Sequence, residues 1–341
     1  MSIITVGIDL AKNVFAVHGV DDNGKPVLVK PKGSREHLLP LIAQLPLCLI
    51  GMEPCSGAHH WAGLFRQHGH TVRLMAPKVV IPYRLSGKRG KNDAADAAAI
   101  CEAVTRPQMR FVPVKEEHQQ IILALHRTRT GFVEERTATY NRLRGLIAEV
   151  GIVCPQKIAA LRRALMDHLE DLPGYLNRCV GDLLAHADSL DVRIAEYDRI
   201  IRDAAREDAR SRRLMDLPGI GPNTASALLA SIGGGHDFKN GRQVAAWIGL
   251  TPGQYSSGGT TRLGRITKAG DRYLRSLLVM GAKAILSGLG EKQDRFSRWA
   301  RSLVERRGYW KAVVAIAAKN ARLAWAVLRF GEEFRLRQAD A

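Results

Sequence analysis

The chain has 341 residues, of which 46% are hydrophobic, and its formal charge of +18 comes from 51 Lys and Arg residues against 33 Asp and Glu residues. This length suits two domains joined by a bridge, and the hydrophobic content excludes a chain that is disordered throughout. A positive excess of this size is typical of proteins that neutralise phosphates, although a basic protein without a nucleic-acid partner would show it too.

The five cysteines show neither the paired spacing of a zinc site nor an even set for disulfides. They are expected to be reduced thiols of a cytoplasmic protein. The N-terminus enters an apolar, strand-like run at Ile3 without a basic leader segment, and no apolar stretch reaches the roughly 20 residues of a membrane-spanning helix. The sequence therefore predicts a protein that is neither exported nor embedded in a membrane.

Residues 1–112 predict a mixed α/β domain. The expected strands are the run ending at Asp9, Val14–Val20, Val27–Val29, Cys48–Met52 and Thr71–Leu74. The expected helices are 34–45 with Ser34 as its cap and Pro40 inside it, 58–68 closed by Gly69, and 93–104.

Four acidic residues lie where these elements end or begin. Asp9 closes the first strand, Glu53 follows the strand that ends at Met52, and Asp93 and Asp96 are spaced to share one face of a helix start. If the two strands are neighbours in one sheet, the four carboxylates converge at its edge, where their mutual repulsion favours a bound cation. Hard oxygen ligands of this kind suit Mg²⁺ or Mn²⁺, which can position a scissile phosphate.

Each acid also has a plainer interpretation. An Asp beside a turn often caps the local backbone, and Asp93 after Asn92 could simply cap its own helix. The basic loop residues Lys88, Arg89 and Lys91 favour the metal site, because they would hold DNA phosphates beside the ions. The same loop could instead be an ordinary solvated surface.

Residues 113–208 predict a helical bridge. The stretches 116–150 and 175–206 have long, heavily charged helical patterns, with breaks at Pro155 and at Pro173-Gly174. The two stretches are expected to pair as an antiparallel coiled coil.

Residues 209–341 predict a mostly helical domain with one sharp turn. The run Leu217-Pro218-Gly219-Ile220-Gly221 resembles a helix-hairpin-helix, in which Gly219 and Gly221 would expose backbone amides to a phosphate. A tight turn between two packed helices is the alternative. Basic helices are expected at 268–286, 294–307 and 310–330. From Arg262 to Ala341 the chain carries 18 Lys and Arg residues against 7 Asp and Glu residues, a net charge of +11.

A Gly-, Ser- and Thr-rich loop is expected from 251 to 264, and it contains a candidate nucleophile. Ser256 and Ser257 precede two glycines, and Arg262, Arg265 and Lys268 follow. A serine hydroxyl there could attack phosphorus while the cations stabilise the developing negative charge. The sequence shows no general base nearby, and the residue types alone are equally typical of an ordinary loop.

Short motifs in both domains resemble those of one known family. The first set is Gly7-Ile8-Asp9-Leu10-Ala11-Lys12, Gly51-Met52-Glu53-Pro54-Cys55-Ser56-Gly57 and Lys91-Asn92-Asp93-Ala94-Ala95-Asp96-Ala97, and the second is Leu217-Pro218-Gly219-Ile220-Gly221, Gly249-Leu250-Thr251-Pro252 and Lys268-Ala269-Gly270. The first set is similar to the DEDD motif of bridge-RNA-guided insertion-sequence transposases, and the second set to the other domain of that family. The resemblance spans roughly Gly7 to Gly270, in the family's order.

The resemblance implies an RNase H-like (RuvC-like) first domain, in which Asp9, Glu53, Asp93 and Asp96 are catalytic metal ligands. It also implies a second domain whose nucleophile falls on Ser257. The choice of Ser257 over Ser256 rests on alignment, because Ser256 precedes it where relatives carry an acidic residue, and the loop after them differs in length.

The same resemblance implies the partners. Members of the family use a structured guide RNA that pairs with donor and target DNA, and they act as homo-oligomers, here expected to be a dimer or a tetramer. Acids of one subunit and the serine of another form a composite site. Strands are cut, held as covalent serine adducts, exchanged and rejoined.

Two other functions remain open from the sequence. One is a RuvC-like nuclease that hydrolyses junction DNA with metal-activated water and needs no serine. The other is a non-catalytic nucleic-acid-binding protein that uses the hairpin and the basic tail. A covalent protein–DNA adduct would exclude both.

Overall fold

The computed structural model describes residues 2–84 and 92–334. This part of the chain divides into two compact units, with bounds at Met1–Gln120 and Ile121–Ala341. No helix within the described ranges is both long and apolar enough to cross a membrane.

The first unit is built on a mixed sheet. Its strands are β1 (Thr5–Leu10), β2 (Val14–Val20), β3 (Pro26–Ser34), β4 (Leu49–Met52), β5 (Thr71–Met75) and β6 (Phe111–Val112). The described strands form one six-stranded sheet in the order β3-β2-β1-β4-β5-β6. β1 pairs antiparallel with β2 and parallel with β4, and β4 is parallel to β5. This confirms the mixed α/β character expected of the first domain.

Two details at the N-terminal end of the sheet differ from the sequence expectation. β3 is longer than the predicted strand 27–29, because its pairing with β2 continues as far as Val14 opposite Ser34. Ser34 occupies the N-cap position of the next helix but makes no capping hydrogen bond, so the prediction of a capping side chain is wrong. Its hydroxyl lies 2.6 Å from Nδ1 of His37 instead.

Helices cover the sheet of the first unit. They are α1 (Arg35–Ala43), α2 (Ala58–Gln67), α3 (Pro77–Val80) followed by a 3-10 turn (Ile81–Tyr83), and α4 (Asp93–Val104). Apolar side chains of α1 and α2, such as Ile42 and Phe65, pack with Ile8 and Ile50 of the sheet to form the main core. Burial of these side chains supplies the driving force that orders the sheet and helices together.

α4 lies directly on the two central strands because both carry glycine at the crossing. Gly7 of β1 and Gly51 of β4 are register partners. A Cβ on Gly7 would lie 2.2 Å from the carbonyl oxygen of Ala97, and one on Gly51 would lie 2.8 Å from Cβ of Val104. The glycine pair therefore sets how closely this helix approaches the sheet.

Replacing Gly7 with alanine should destabilise the first unit by about 3 kcal/mol, because the added methyl group forces the helix away from a packed sheet. Urea unfolding followed by circular dichroism would measure the change in the free energy of unfolding. Gly63→Ala is the matched control: a Cβ at that helical glycine meets no atom within 4 Å. Alanine there should stabilise slightly, by about 0.5–1 kcal/mol. Equal stability of the Gly7→Ala variant and the wild type would contradict the close approach.

The second unit is mostly helical. Its elements are α5 (Glu117–Ala148, which begins in the last residues of the first unit), α6 (Ile158–His168), α7 (Tyr175–Glu207), α8 (Ala209–Met215), α9 (Pro222–Ile232), α10 (Gly241–Trp247), β7 (Pro252–Gln254), β8 (Leu263–Ile266), α11 (Arg272–Ser287), α12 (Arg295–Arg307) and α13 (Tyr309–Phe330). The long helices at 116–150 and 175–206 and the three C-terminal helices were expected from the sequence. The short helix α6 and the strand pair were not.

α5 and α7 lie side by side and run in opposite directions. Arg129 of α5 donates to both carboxylate oxygens of Asp198, at 2.6 and 3.1 Å. Further along α5, Arg136 pairs with Asp191 at 2.5 Å. The partner's number falls as the α5 number rises, which is the signature of antiparallel helices. The contacts establish the pairing of the helices, whereas the coiled-coil description stays a prediction.

Candidate functional site

Asp9 is the next-to-last residue of β1, which runs one residue past the expected end at Asp9, and Glu53 directly follows the neighbouring parallel strand β4. The last register pair between β1 and β4 joins Ile8 to Met52, and the next residues along the two strands are Asp9 and Glu53. Because carboxyl ends of parallel strands meet at one edge of a sheet, both acids lie at that edge. The condition set in the sequence analysis, that these strands are neighbours in one sheet, is therefore met.

Cys55 marks the same edge independently. Its Sγ donates to the carbonyl oxygen of Leu10 at 3.4 Å, which holds the loop after β4 against the end of β1. Partial desolvation raises the pKa of the Cys55 thiol, and the negative charges of Asp9 and Glu53 raise it further. Both carboxylates are therefore near enough to act on one thiol.

The start of α4 points toward this edge. Cys101 Sγ donates to the carbonyl oxygen of Thr5 at 3.6 Å, and one turn earlier the Ala97 carbonyl lies over Gly7. Residues nearer the start of α4 therefore lie over residues of β1 that are nearer to Asp9. Two further acids, Asp93 and Asp96, occupy the first turn of α4.

The cap of α4 is Asn92, whose side chain accepts a hydrogen bond from the backbone N–H of Ala95 at 2.8 Å. The alternative in which Asp93 caps its own helix is therefore wrong. Asn competes well for this position because its side-chain oxygen reaches the third amide of the helix. Asp93 is left exposed in the first turn, where a carboxylate also interacts favourably with the helix dipole.

Asp96 is 6% exposed and forms an ion pair with Arg84, whose Nε lies 2.5 Å from its Oδ1. The guanidinium neutralises an acid that was expected to ligate a cation. Across residues 2–84 and 92–334, no group of three or more His, Cys, Asp or Glu side chains is arranged to hold an ion. The fold thus brings Asp9 and Glu53 to one edge with the start of α4 toward it, while Asp96 faces Arg84.

The carboxylate oxygens of these four acids are of the type that a hard divalent cation binds, and Asp96 would have to exchange its guanidinium partner for the ion. The predicted phosphate-binding loop residues Lys88, Arg89 and Lys91 lie outside the described residues. Arg84 was missed by the sequence reasoning, because nothing in its local pattern marks an Arg as the partner of an acid twelve residues later.

The candidate serine lies on a β-hairpin, not in an irregular loop. β7 and β8 pair antiparallel, with Gln254 opposite Leu263. At the tip the backbone N–H of Thr260 donates to the carbonyl oxygen of Ser257 at 3.0 Å. Gly258 and Gly259 between them have φ values of 54° and 78°. The favoured two-residue hairpin turn requires two consecutive residues with positive φ, and the Gly-Gly pair supplies them. The expectation of an irregular loop over 251–264 is therefore wrong.

The two serines of the hairpin differ in their contacts. The Ser256 hydroxyl oxygen accepts from Nε2 of Gln254 at 2.8 Å and from the backbone N–H of Arg262 at 3.3 Å. Ser257 is exposed at the edge of the turn, and its hydroxyl makes no side-chain hydrogen bond to the described part of the chain. Ser256 therefore holds the hairpin together, and Ser257 presents its hydroxyl to solvent.

The surroundings of the hairpin are cationic. Arg262, Arg265 and Lys268 are all exposed, and the sequence has no acidic residue from 251 to 270. The base of the hairpin is fixed by backbone hydrogen bonds, including Lys268 N–H to the Gly249 carbonyl oxygen at 3.1 Å. A phosphate bound at Ser257 would therefore be close to positively charged side chains, on a hairpin whose base is held by backbone hydrogen bonds.

The sharp turn Leu217–Gly221 joins α8 to α9. Gly219 packs against α11, since a Cβ there would lie 2.6 Å from the carbonyl oxygen of Gly281. Fully buried Asn320 of α13 donates to the Pro218 carbonyl oxygen at 2.8 Å. Gly221 is the exposed N-cap of α9. Packing alone accounts for Gly219, and the binding of a phosphate at Gly219 and Gly221 stays a prediction.

A buried polar network links α5 to the C-terminal helices. His126 is 1% exposed, its Nδ1 lies 2.9 Å from the Tyr273 hydroxyl of α11, and its Nε2 lies 3.0 Å from the Ser226 hydroxyl of α9. Burial, aided by the positive charge of Arg129, lowers the pKa of His126 to about 4. Sequence reasoning missed this residue because a single His in a charged helix carries no pattern of its own.

Mild acid should lower the free energy of unfolding through His126 before most carboxylates are protonated. His126 has an ordinary pKa of 6.5 and a folded pKa of about 4. Its contribution is complete above pH 6.5 and is lost as the pH falls toward 4, because the unfolded chain takes up a proton that the folded one refuses. The full effect is about 3 kcal/mol. Urea midpoints between pH 7 and pH 5 should fall more steeply for the wild type than for His126→Gln, and parallel slopes would contradict the assignment.

Both units are similar in sequence to known transposases. A family model described as "Transposase IS116/IS110/IS902 family" matches residues 211–297, and a second transposase model, of the DEDD type of the IS110 group, matches residues 6–152. A "Probable family 20 transposase" of Pseudomonas aeruginosa is 44% identical over 333 residues, covering 96% of this chain and 97% of its own. The transposases for insertion sequence elements IS1328 of Yersinia enterocolitica and IS1111A of Coxiella burnetii are 38% and 36% identical, covering 98% and 97% of this chain and 99% and 91% of their own.

Proposed function

Because this chain belongs to the IS116/IS110/IS902 family of insertion-sequence transposases, we propose that it cuts and rejoins DNA by attack of the Ser257 hydroxyl on a phosphodiester. The observation that carries the proposal is the contrast at the hairpin tip, where Ser256 is engaged in hydrogen bonds and Ser257 is exposed among cations. An exposed hydroxyl outside the hydrogen bonds of the hairpin can approach a phosphodiester without disturbing them.

The reaction balances as two transfers at phosphorus. In the first, the Ser257 oxygen loses its proton and bonds to phosphorus, while the bond from phosphorus to one strand oxygen breaks and that oxygen takes a proton. In the second, the hydroxyl of another strand end loses its proton and bonds to phosphorus, while the bond from phosphorus to the Ser257 oxygen breaks and that oxygen takes a proton. Arg262 and Arg265 would stabilise the additional negative charge in each transition state.

The acidic edge would supply the charge neutralisation that a phosphodiester needs. Asp9, Glu53, Asp93 and Asp96 are the proposed ligands of Mg²⁺ or Mn²⁺, which polarises phosphoryl oxygens when it is bound. The DEDD type of the matching transposase model supports dependence on a divalent cation. The strand order of the sheet supports an RNase H-like fold for this unit.

The proposed domains are a catalytic domain at 1–112, a helical bridge at 113–208 and a serine-bearing domain with a helix-hairpin-helix at 209–341. DNA is the substrate that a transposase implies. The net charge of +18 supports binding of phosphates by many side chains. A guide RNA and a homo-oligomer with a composite site are proposed on the family resemblance, and sequencing of the RNA that co-purifies with the protein tests the first of these.

A suicide DNA substrate tests the chemistry. The substrate carries an insertion-sequence end with a nick placed so that the cleaved strand diffuses away and cannot rejoin. We expect a protein–DNA adduct that survives denaturation and is broken by base. Cleavage without an adduct would favour a RuvC-like nuclease, and binding without cleavage would favour a non-catalytic protein. Either result would overturn the proposal.

A further inference from the structure

The connection between α12 and α13 exposes two aromatic rings. Every residue from Glu305 to Lys311 is exposed, and within this segment Tyr309 is 41% and Trp310 is 67% exposed. Tryptophan is on average a strongly buried residue, because its ring removes a large apolar area from water. The exposure of two adjacent rings therefore calls for a function of that surface.

The other tryptophans of the chain are engaged within the fold. Trp61 is buried in the first unit, and Trp247 packs edge-on against Phe238. Trp299 holds Lys319 Nζ at 4.1 Å from its ring centroid, and Trp325 donates to the carbonyl oxygen of Gly235 at 2.9 Å. Trp310 differs from them in presenting most of its ring to solvent.

The exposed rings have a defined orientation. Tyr309 and Trp310 contact each other edge to face, with centroids 5.3 Å apart and planes at 80°. Gly308 before them has φ of 79°, so the chain leaves α12 through a left-handed residue that a side chain would strain. Lys283 of α11 places its Nζ 5.8 Å from the Trp310 ring centroid. The two rings therefore project from the first turn of α13, and much of their surface is exposed to solvent.

Positive charge surrounds the rings. Arg306 and Arg307 precede them, Lys311 follows and Lys283 lies alongside, against the single acid Glu305 in the segment. Aromatic faces with flanking cations match a single strand of nucleic acid, whose bases stack on rings while its phosphates meet the cations. The stacked, paired bases of an intact duplex offer no free face to a ring.

We propose that Tyr309 and Trp310, with Lys283, Arg306, Arg307 and Lys311, form a stacking site for an unpaired nucleotide of a DNA strand. Unpaired DNA is the expected ligand, because a transposase that cuts DNA strands separates paired bases next to the cut. The inference rests on family membership and on this surface, and it does not depend on the serine chemistry.

Binding of fluorescently labelled oligothymidylate to the full-length protein tests the site. Trp310→Ala should weaken binding about tenfold, since one lost base–aromatic stack has an effect of this order, and Trp310→Phe should retain most of the affinity. The matched control is Tyr175→Ala, which removes an 87% exposed aromatic ring at the start of α7 and should leave binding unchanged.

Two further measurements separate stacking from charge. An abasic strand with the same phosphates should bind wild type and Trp310→Ala equally. Arg307→Gln should reduce the slope of log affinity against log salt, whereas Trp310→Ala should leave the slope unchanged. Unchanged binding by Trp310→Ala, an equal loss for duplex DNA, or a loss for single-stranded RNA alone would each overturn the proposal. These are binding readouts, so they stand apart from any failure of recombination.

Discussion

Replacing Ser257 with alanine should lower DNA strand exchange by about 10⁴-fold or more, because removal of a covalent nucleophile leaves no group to carry the strand between transfers. Binding of DNA should stay close to the wild-type value. The hydroxyl is exposed and the hairpin is held by backbone bonds and by Ser256, so the fold does not depend on it. Recombination between two plasmids and adduct formation on the suicide substrate would measure the loss of chemistry, and a gel-shift assay would measure DNA binding.

Ser256→Ala is the matched control for this variant. It removes a hydroxyl one residue away that accepts from Gln254 and from the Arg262 backbone, so strand exchange should fall modestly through a loosened hairpin. Adduct should still form. If Ser257→Ala still recombines while Ser256→Ala does not, the nucleophile has been assigned to the wrong serine.

Asp9→Asn should lower cleavage by about 10³-fold at a fixed Mg²⁺ concentration, corresponding to about 4 kcal/mol of lost transition-state stabilisation. The change keeps the size of the side chain and removes the charge that would hold a cation beside Glu53 at the strand ends. Adduct formation measured across a range of Mg²⁺ and Mn²⁺ concentrations would show whether the loss reflects weaker ion binding.

Asp22→Asn removes an acid of the same type from an exposed turn of the same unit, and it should leave cleavage unchanged. Asp9→Asn at wild-type activity would remove the acidic edge from the chemistry and favour a binding protein. Loss of activity in both variants would point to a general charge effect and would equally contradict a specific site.

The sequence predicts that Asp9 and Glu53 lie at or next to the ends of strands, because apolar runs lead up to both, but their shared edge depends on the strand pairing. Apolar runs ending at Asp9 and Glu53 identify strands, and the carboxyl ends of parallel strands share an edge. The Asn92 cap and the pairing of Arg84 with Asp96 could not be predicted. Each depends on which of several polar side chains lies closest to the helix amide or to the carboxylate in the folded structure. The long helices of the second unit and its three C-terminal helices followed from their charged and apolar patterns, whereas the short helix α6 did not.

The serine hairpin shows where residue types mislead. Glycine and serine are common in irregular loops, and this composition hid a strand pair with short, mostly exposed strands. The positive φ of Gly258 and Gly259 distinguishes the two structures, and that information is conformational. His126 was missed for a related reason: its two hydrogen-bond partners lie 100 and 147 residues later in the chain.

The ion pair between Arg84 and Asp96 has a thermodynamic consequence for any cation at the acidic edge. An ion that takes Asp96 as a ligand competes with the guanidinium, so occupancy and the position of residue 84 are linked. By reciprocity, whatever draws Arg84 away, such as a DNA phosphate, tightens the hold on the ion by the same factor that the ion favours release of the arginine. The cation-bound protein would then be populated mainly when DNA is also bound.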